Sequence, residues 1–339
     1  MKRLSMVCIK RVATERGEIM TEKERKKEQE KGFAKIIENA LRYRAFVSYM
    51  NGGCKSAAST LNRDCKNNGI NKRISEDRIG YIKRGIATEL LFYALFGEEL
   101  SLTPTLDAGC AFDFVGMMTT ANLTQSNSFV RIDVTRSIEA KRQHEPTTCY
   151  GQTCWPFRIA HVCDKAKRVD WYDEIMTGPL FKTSFPQKSS VHRQGMNIAY
   201  RKSLSFVKTR REALEAIECA HSLDAALADI RANTRLSNDN RERLCAEAIF
   251  FATYKYALNI VPALSCGDLC DFIGEHNGEL VRYRILTCTK GYFKNEYPVL
   301  EQLSKAFRYK IALFDTQTKM FAFYDWNDWQ LFDDIPELE

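Results

Sequence analysis

The chain has 339 residues, 45% hydrophobic and 27% charged, which is the make-up of a globular protein long enough for two or three domains. No apolar run approaches the ~20 residues that a membrane-crossing helix needs, and no sustained apolar stretch follows the basic start MKRLSMVCIKRV, so neither a span nor a secretory leader is expected. The net charge of +7 is concentrated in residues 1–84, whereas the last fifteen residues, DWNDWQLFDDIPELE, carry only acids; the basic front points to a polyanionic partner such as nucleic acid.

Taken in chain order, residues 21–49 read as a long helix, charged first and then apolar at Phe33, Ile36, Ile37, Ala40 and Leu41. Asn51-Gly52-Gly53 stops it, and a shorter helix is expected at 55–66. These basic helices suit either a helix-turn-helix or a cap on the next domain. A stronger helix spans 75–97, with Ser75 as N-cap and Gly97 as C-cap. Strands are expected at 111–117, 128–135 and 156–163, a helix at 164–176, and a loop-rich connection at 177–206. Helices follow at 207–232 and 238–259. Strands at 269–273, 279–288, 309–314 and 319–325 complete the pattern, with a helix near 296–307. Met20 offers a second start.

Twelve cysteines raise the question of zinc. The densest group is His144, Cys149, Cys154, His161 and Cys163, and Cys266 stands near Cys270; none has the paired spacing of a structural zinc module. Reduced thiols are the expectation.

The segment 89–116, ELLFYALFGEELSLTPTLDAGCAFDFVG, lies without a gap over 247–274, EAIFFATYKYALNIVPALSCGDLCDFIG. Ten of 28 positions are identical, among them Glu89 with Glu247, Pro104 with Pro262, Gly109 with Gly267, Asp113 with Asp271 and Gly116 with Gly274. This is a duplicated unit: a helix with a glutamate, a connection with a proline, and a strand with an aspartate. The copies continue into a second strand, SFVRIDVTRS and ELVRYRILTCTKG, where the first has an acid, Asp133, and the second has Arg284, Ile285 and Leu286 in that region.

A carboxylate on an apolar strand is costly to bury unless something pairs with it. Asp113 and Asp133 on two strands of one hairpin, joined by Glu89 from the preceding helix, are candidates to converge. Three such acids suit a hard divalent cation. Each also has a plainer reading: Asp113 as a turn acid, Asp133 as the partner of Arg131 or Arg136, Glu89 as an ordinary helix acid.

On these residues the chain resembles the PD-(D/E)xK nuclease superfamily, over about 75–165 and again, in weaker form, over about 238–326. The resemblance implies an α/β (mixed α+β) chain of two restriction-endonuclease-like αβββαβ units behind a helical N-terminal region. It implies metal ligands at Glu89, Asp113 and Asp133, with Mg²⁺ or Mn²⁺ as cofactor. The family's lysine position holds Thr135, so Lys141 becomes the candidate cation beside the attacking water, with Arg131 and Arg136 as rivals. The expected organisation is a basic helical region at 1–74, a nuclease-like domain at 75–176, a connecting segment at 177–237, and a degenerate copy with an acidic tail at 238–339.

The function expected from the resemblance is metal-dependent hydrolysis of phosphodiester bonds in nucleic acid, DNA in the first instance. The alternative is a non-catalytic nucleic-acid-binding or assembly protein built on two degenerate copies. The acidic tail is the candidate surface for a protein partner; Lys290, Tyr292, Phe293 and Lys294 are candidates to touch nucleic acid. The expected setting is cytoplasmic, or nuclear in a eukaryote.

Overall fold

The structure, a computed structural model, describes residues 22–70, 74–105, 112–118, 128–139, 155–173, 176, 178–187, 204–218, 222–264, 270–276, 279–287 and 309–325. Met20, Lys141, most of the 137–155 connection with His144, Cys149 and Cys154, Cys266, the expected helix at 296–307, Lys290 to Lys294 and the acidic tail lie outside them.

The first two expected helices form one element, α1 (Glu22–Ile70), interrupted at Gly53, whose φ of 73° is a conformation that glycine adopts without strain. The buried stripe of α1 runs through Ala34, Leu41, Phe46 and Tyr49; Phe33 and Ile36, expected on it, are exposed. That stripe shares one core with α2 (Glu76–Phe96), whose buried positions Ile79, Ile82, Ile86, Leu90 and Phe92 keep helical spacing. Ser75 caps α2 by accepting the Arg78 N–H. The basic helices thus form a cap on the sheet that follows.

That sheet runs in the order β1 (Thr103–Pro104), β2 (Phe114–Met118), β3 (Ser128–Thr135), β4 (Phe157–Cys163), β5 (Arg168–Tyr172) and β6 (Phe181–Ser184). Every neighbouring pair is antiparallel except β3 and β4, which are parallel. The helix expected at 164–176 is absent; β5 stands there instead. Its Val169, Trp171 and Tyr172 are strong strand formers, and Trp171 stacks on Phe181 of β6 inside the core. Lys165, Ala166 and Lys167, which favour helix, form the turn between β4 and β5 instead, closed by Ala166 N–H to Cys163 O and Lys167 N–H to Asp164 O.

The second half repeats the plan. Its helices are α3 (Leu204–Glu218), α4 (Leu223–Ala232) and α5 (Asn238–Tyr254). The single helix expected at 207–232 is two, because Ser222 accepts the Ala225 N–H and starts α4 afresh. A five-stranded sheet follows, β7 (Val261–Pro262), β8 (Phe272–His276), β9 (Glu279–Thr287), β10 (Tyr309–Phe314) and β11 (Phe321–Asp325), again with one parallel pair, β9 with β10. The chain is therefore mixed α/β with two mixed sheets. No described helix is long and apolar enough to cross a membrane.

The halves meet edge to edge. Thr105 and Ala263 form an antiparallel bridge, and Leu264 N–H donates to Pro104 O at 2.9 Å. Arg282 of β9 reaches across to Thr103 Oγ1 (3.1 Å) and Ser101 O (3.0 Å), and Trp155 donates to Glu275 at 2.8 Å.

The repeated glycines have a packing cause. A Cβ on Gly116 would lie 2.8 Å from Leu100 O, and one on Gly274 would lie 2.6 Å from Leu258 O. Both carbonyls belong to the turn after the helix, which each strand must brush to hydrogen-bond: Met117 N–H to Leu100 O and Glu275 N–H to Leu258 O. Gly274→Ala is expected to cost about 2 kcal/mol, as overpacking against backbone does. Urea denaturation of the full chain checks this; an unchanged midpoint would show that the turn gives way freely.

Candidate metal centre

The site begins with a buried arginine that neither half of the sequence advertises. Arg42 of α1 donates from Nε to Glu89 Oε2 (2.5 Å), from Nη1 to Thr105 O (2.6 Å) and from Nη2 to Asp113 O (3.0 Å). One guanidinium thus ties the cap, the α2 glutamate, the β1 edge and the start of β2 together. Arg210 of α3 does the same with Glu247, Ala263 O and Asp271 O. Each guanidinium also lies over an aromatic ring, Arg42 over Phe46 and Arg210 over Phe272. The duplicated glutamate is accounted for first as the acceptor of this clamp.

The duplicated aspartate has an equally regular place. Asp113 N–H donates to Ile132 O at 2.8 Å, one residue out of step with the Phe114–Ile132 pairing. Such an offset, of the β-bulge kind, re-aims the side chain. The Asp113 carboxylate turns toward β3 and accepts the Val134 N–H at 2.8 Å. In the second unit Asp271 N–H donates to Tyr283 O and the Asp271 carboxylate accepts the Ile285 N–H at 2.9 Å. These matched bonds fix the correspondence on the next strand: Val134 with Ile285, and so Asp133 with Arg284.

The units differ in the charge they place around this frame. In the second, Arg284 donates to Asp271 at 3.0 Å, and Arg243 of α5 stands 3.3 Å from Glu247 Oε1 and 3.4 Å from Asp271 Oδ2. Three arginines face two acids, a formal +1, and Asp271, Glu247 and Arg284 are almost wholly buried. In the first unit Arg284 is replaced by Asp133, and Arg243, four residues before its glutamate, is replaced by Gly85, four before Glu89. Around Glu89 the first unit sets one arginine, Arg42, with Asp113 and Glu38 as neighbouring acids, while Asp133 stands on β3 at the position of Arg284. Gly85 is exposed, and a Cβ there would meet nothing within 4 Å. Asp113 is partly exposed and Asp133 is buried at 6%. The second unit pairs its acids with its own cations, while in the first Asp113 is partly exposed and Glu89 and Asp133 stay buried.

The surplus of acid shows in Glu89. Burial, and after it the Asp113 carboxylate, pushes its pKa up to about 8 in spite of the Arg42 guanidinium. The structure therefore brings Glu89 and Asp113 together around Arg42, and sets Asp113 against the Asp133–Val134 step. Lys141 lies outside the described residues.

Thr135 and Arg131 both have other partners. Thr135 Oγ1 sits in a local turn, accepting Ser137 N–H at 3.2 Å and donating to Ser137 O at 3.1 Å. Arg131 Nε donates to Trp155 O at 2.9 Å and its guanidinium lies over Phe112 and Phe157. Arg136 is exposed. Sequence reasoning missed Arg42, Arg210, Arg243 and Arg284. For Arg284 a signal existed: Val130-Arg131 and Val281-Arg282 set the register that places it at Asp133.

Comparison with protein-family models, with curated proteins and with solved structures gives no match.

Proposed function

We propose that the first unit is a restriction-endonuclease-like nuclease domain that hydrolyses nucleic-acid phosphodiester bonds with Mg²⁺ or Mn²⁺, and that the second is its catalytically degenerate copy. The observation that carries this reading is the exchange of Arg284 and Arg243 for Asp133 and Gly85 on an otherwise duplicated frame. Where one copy fills the place beside its aspartate with two fixed cations, the other has Asp133 and Gly85, and its Asp113 carboxylate is partly exposed. A donor set of carboxylates alone fits a hard divalent ion.

Asp113 and Asp133 would hold the ion, with the Glu89 carboxylate alongside. Such an ion, when bound, supplies a more acidic water and offsets charge on a phosphate. The chain's own residues do the rest. Arg42 fixes the Glu89 carboxylate and the backbone on either side of the site. Val134 N–H holds one Asp113 oxygen, leaving the other to a ligand. Lys83 and Arg84, exposed on the α2 turn that ends at Gly85, supply the sequence-independent attraction for the phosphate backbone. Lys141 stays the candidate for assisting the attacking water.

Purified full chain is incubated with plasmid, single-stranded DNA and RNA, with and without Mn²⁺. Cleavage that needs the metal and is lost in Asp133→Ala is the expected result. One observation favours a second reading, a nucleic-acid-binding protein that does not cut: Thr135, at the lysine position, is committed to its turn with Ser137. Salt-sensitive binding of the same substrates without metal-dependent cutting would select that reading and retire the first.

A further inference from the structure

A second cluster lies on the same sheet, further along from the carboxylates. His161 and Asp170 are paired directly across β4 and β5, and Cys163 follows His161 by two residues, so all three share a face of the sheet. Their donor atoms lie within 4.8 Å of one another. Cys163 Sγ is 3.5 Å from His161 Nδ1 and 3.5 Å from Asp170 Oδ2. A tetrahedral zinc ion with ordinary Zn–S and Zn–N bonds, about 2.3 and 2.0–2.1 Å, sets its sulfur and nitrogen donors about 3.5 Å apart. Two of the three edges of such a shell are therefore already at length.

The surroundings are those of a ligand set. His161 Nε2 lies 3.1 Å from Arg136 O; a proton held there by that carbonyl leaves the Nδ1 lone pair facing Cys163. A metal-bound histidine is ordinarily oriented by such a contact on its other nitrogen. Arg168 donates from Nε to Asp170 Oδ1 at 2.7 Å, fixing the carboxylate while its longer contact, Nη2 to Oδ2 at 3.3 Å, is the one an ion would loosen. The second unit holds Leu313, Asp315 and Ala322 at the corresponding positions, so the cluster belongs to the first unit alone.

We propose that His161, Cys163 and Asp170 bind one zinc ion through Nδ1, Sγ and Oδ2, with the fourth position open to water or another ligand. A nitrogen, sulfur and oxygen set selects zinc over the hard ions that suit the carboxylate centre. Clipping β4 to β5, the ion would stiffen the outer part of the sheet beyond the parallel β3–β4 pair.

The test uses the full chain, stripped of metal and titrated with Zn²⁺, and in parallel with Co²⁺, whose thiolate charge-transfer absorption reports a sulfur ligand. One tightly held equivalent is expected. Cys163→Ser should weaken zinc binding at least ~100-fold, because even outer-shell partners are worth 10- to 100-fold, and should abolish the charge-transfer band. Cys54→Ser, on the exposed part of α1, should change neither. His161→Ala, cutting a half-exposed ring, gives the same reading should Cys163→Ser fail to fold. A parent chain that holds no zinc after dialysis, or a Cys163→Ser chain that keeps both the equivalent and the band, would overturn the assignment.

Discussion

Asp113→Asn and Asp271→Asn are expected to move stability in opposite directions, although the two residues are copies of each other. Asp271 is the counter-charge for Arg284 and Arg243, both buried. Removing its charge leaves two guanidinium groups with only Glu247 between them and Arg210. Breaking a buried pair by deleting one partner typically costs about 3–5 kcal/mol, since the orphaned charge stays desolvated. Asp113 instead stands among acids. An asparagine oxygen still accepts the Val134 N–H, and the repulsion that helps raise the Glu89 acid disappears. In chelator-treated buffer Asp113→Asn should lie within about 1 kcal/mol of the parent, on the stabilising side. Urea and thermal melts followed by circular dichroism compare the two. Equal losses would mean that both aspartates are structural and that the first unit is no metal centre. Asp271→Asn is accordingly unsuited to serve as a silent control in a cleavage assay.

The second large effect is expected from Asp133→Arg. Arg284 shows that an arginine at this strand position reaches the neighbouring aspartate and is accommodated, so the variant should fold and melt no lower than the parent. It installs a tethered cation where a divalent ion would sit. Cleavage should fall at least ~1000-fold, about 4 kcal/mol of lost transition-state stabilisation, and the rise in melting temperature on adding Mn²⁺ should vanish. Gly85→Arg, which rebuilds Arg243 in the first unit, should have the same sign and a smaller size. A Mn²⁺-induced shift that survives in Asp133→Arg would place the metal elsewhere.

Much of this frame was legible in the sequence because it depends on small, local signals. The gap-free repeat, the Ser75 cap, the glycine break in α1 and the bounds of β3 all rest on residues whose roles are set by their neighbours in the chain. The failures share a different cause. The helix expected at 164–176 overlooks a hairpin: Lys165 to Lys167 lie in the turn after β4, and Val169, Trp171 and Tyr172 then run as a strand between β4 and β6. The arginine clamps were missed because Arg42 and Glu89 are separated by a whole helix arm, and a surface lysine or arginine looks the same in sequence as a buried one. Asp113 and Asp133 were expected from the sequence on adjacent strands; the contrast with Arg284 and Gly85 emerges only once the two copies are laid on one frame. Glu89 was expected as a ligand; its Oε2 is taken by Arg42, and Glu247 plays the same part in the copy sealed by arginines.

The bridge between Thr105 and Ala263 has a consequence for self-association. β1 is two residues long and forms the outer border of its sheet. A bare border of this kind templates unwanted pairing with other chains. Here the residue that follows it, Thr105, bridges Ala263, the residue that follows β7 at the border of the other sheet, and the two Arg-held carbonyls, Thr105 O and Ala263 O, belong to that bridge. The arrangement is an internal counterpart of two-fold assembly, with the partner permanently attached. That guard against self-association rests on backbone bonds shared by the two halves and not on the acids of either.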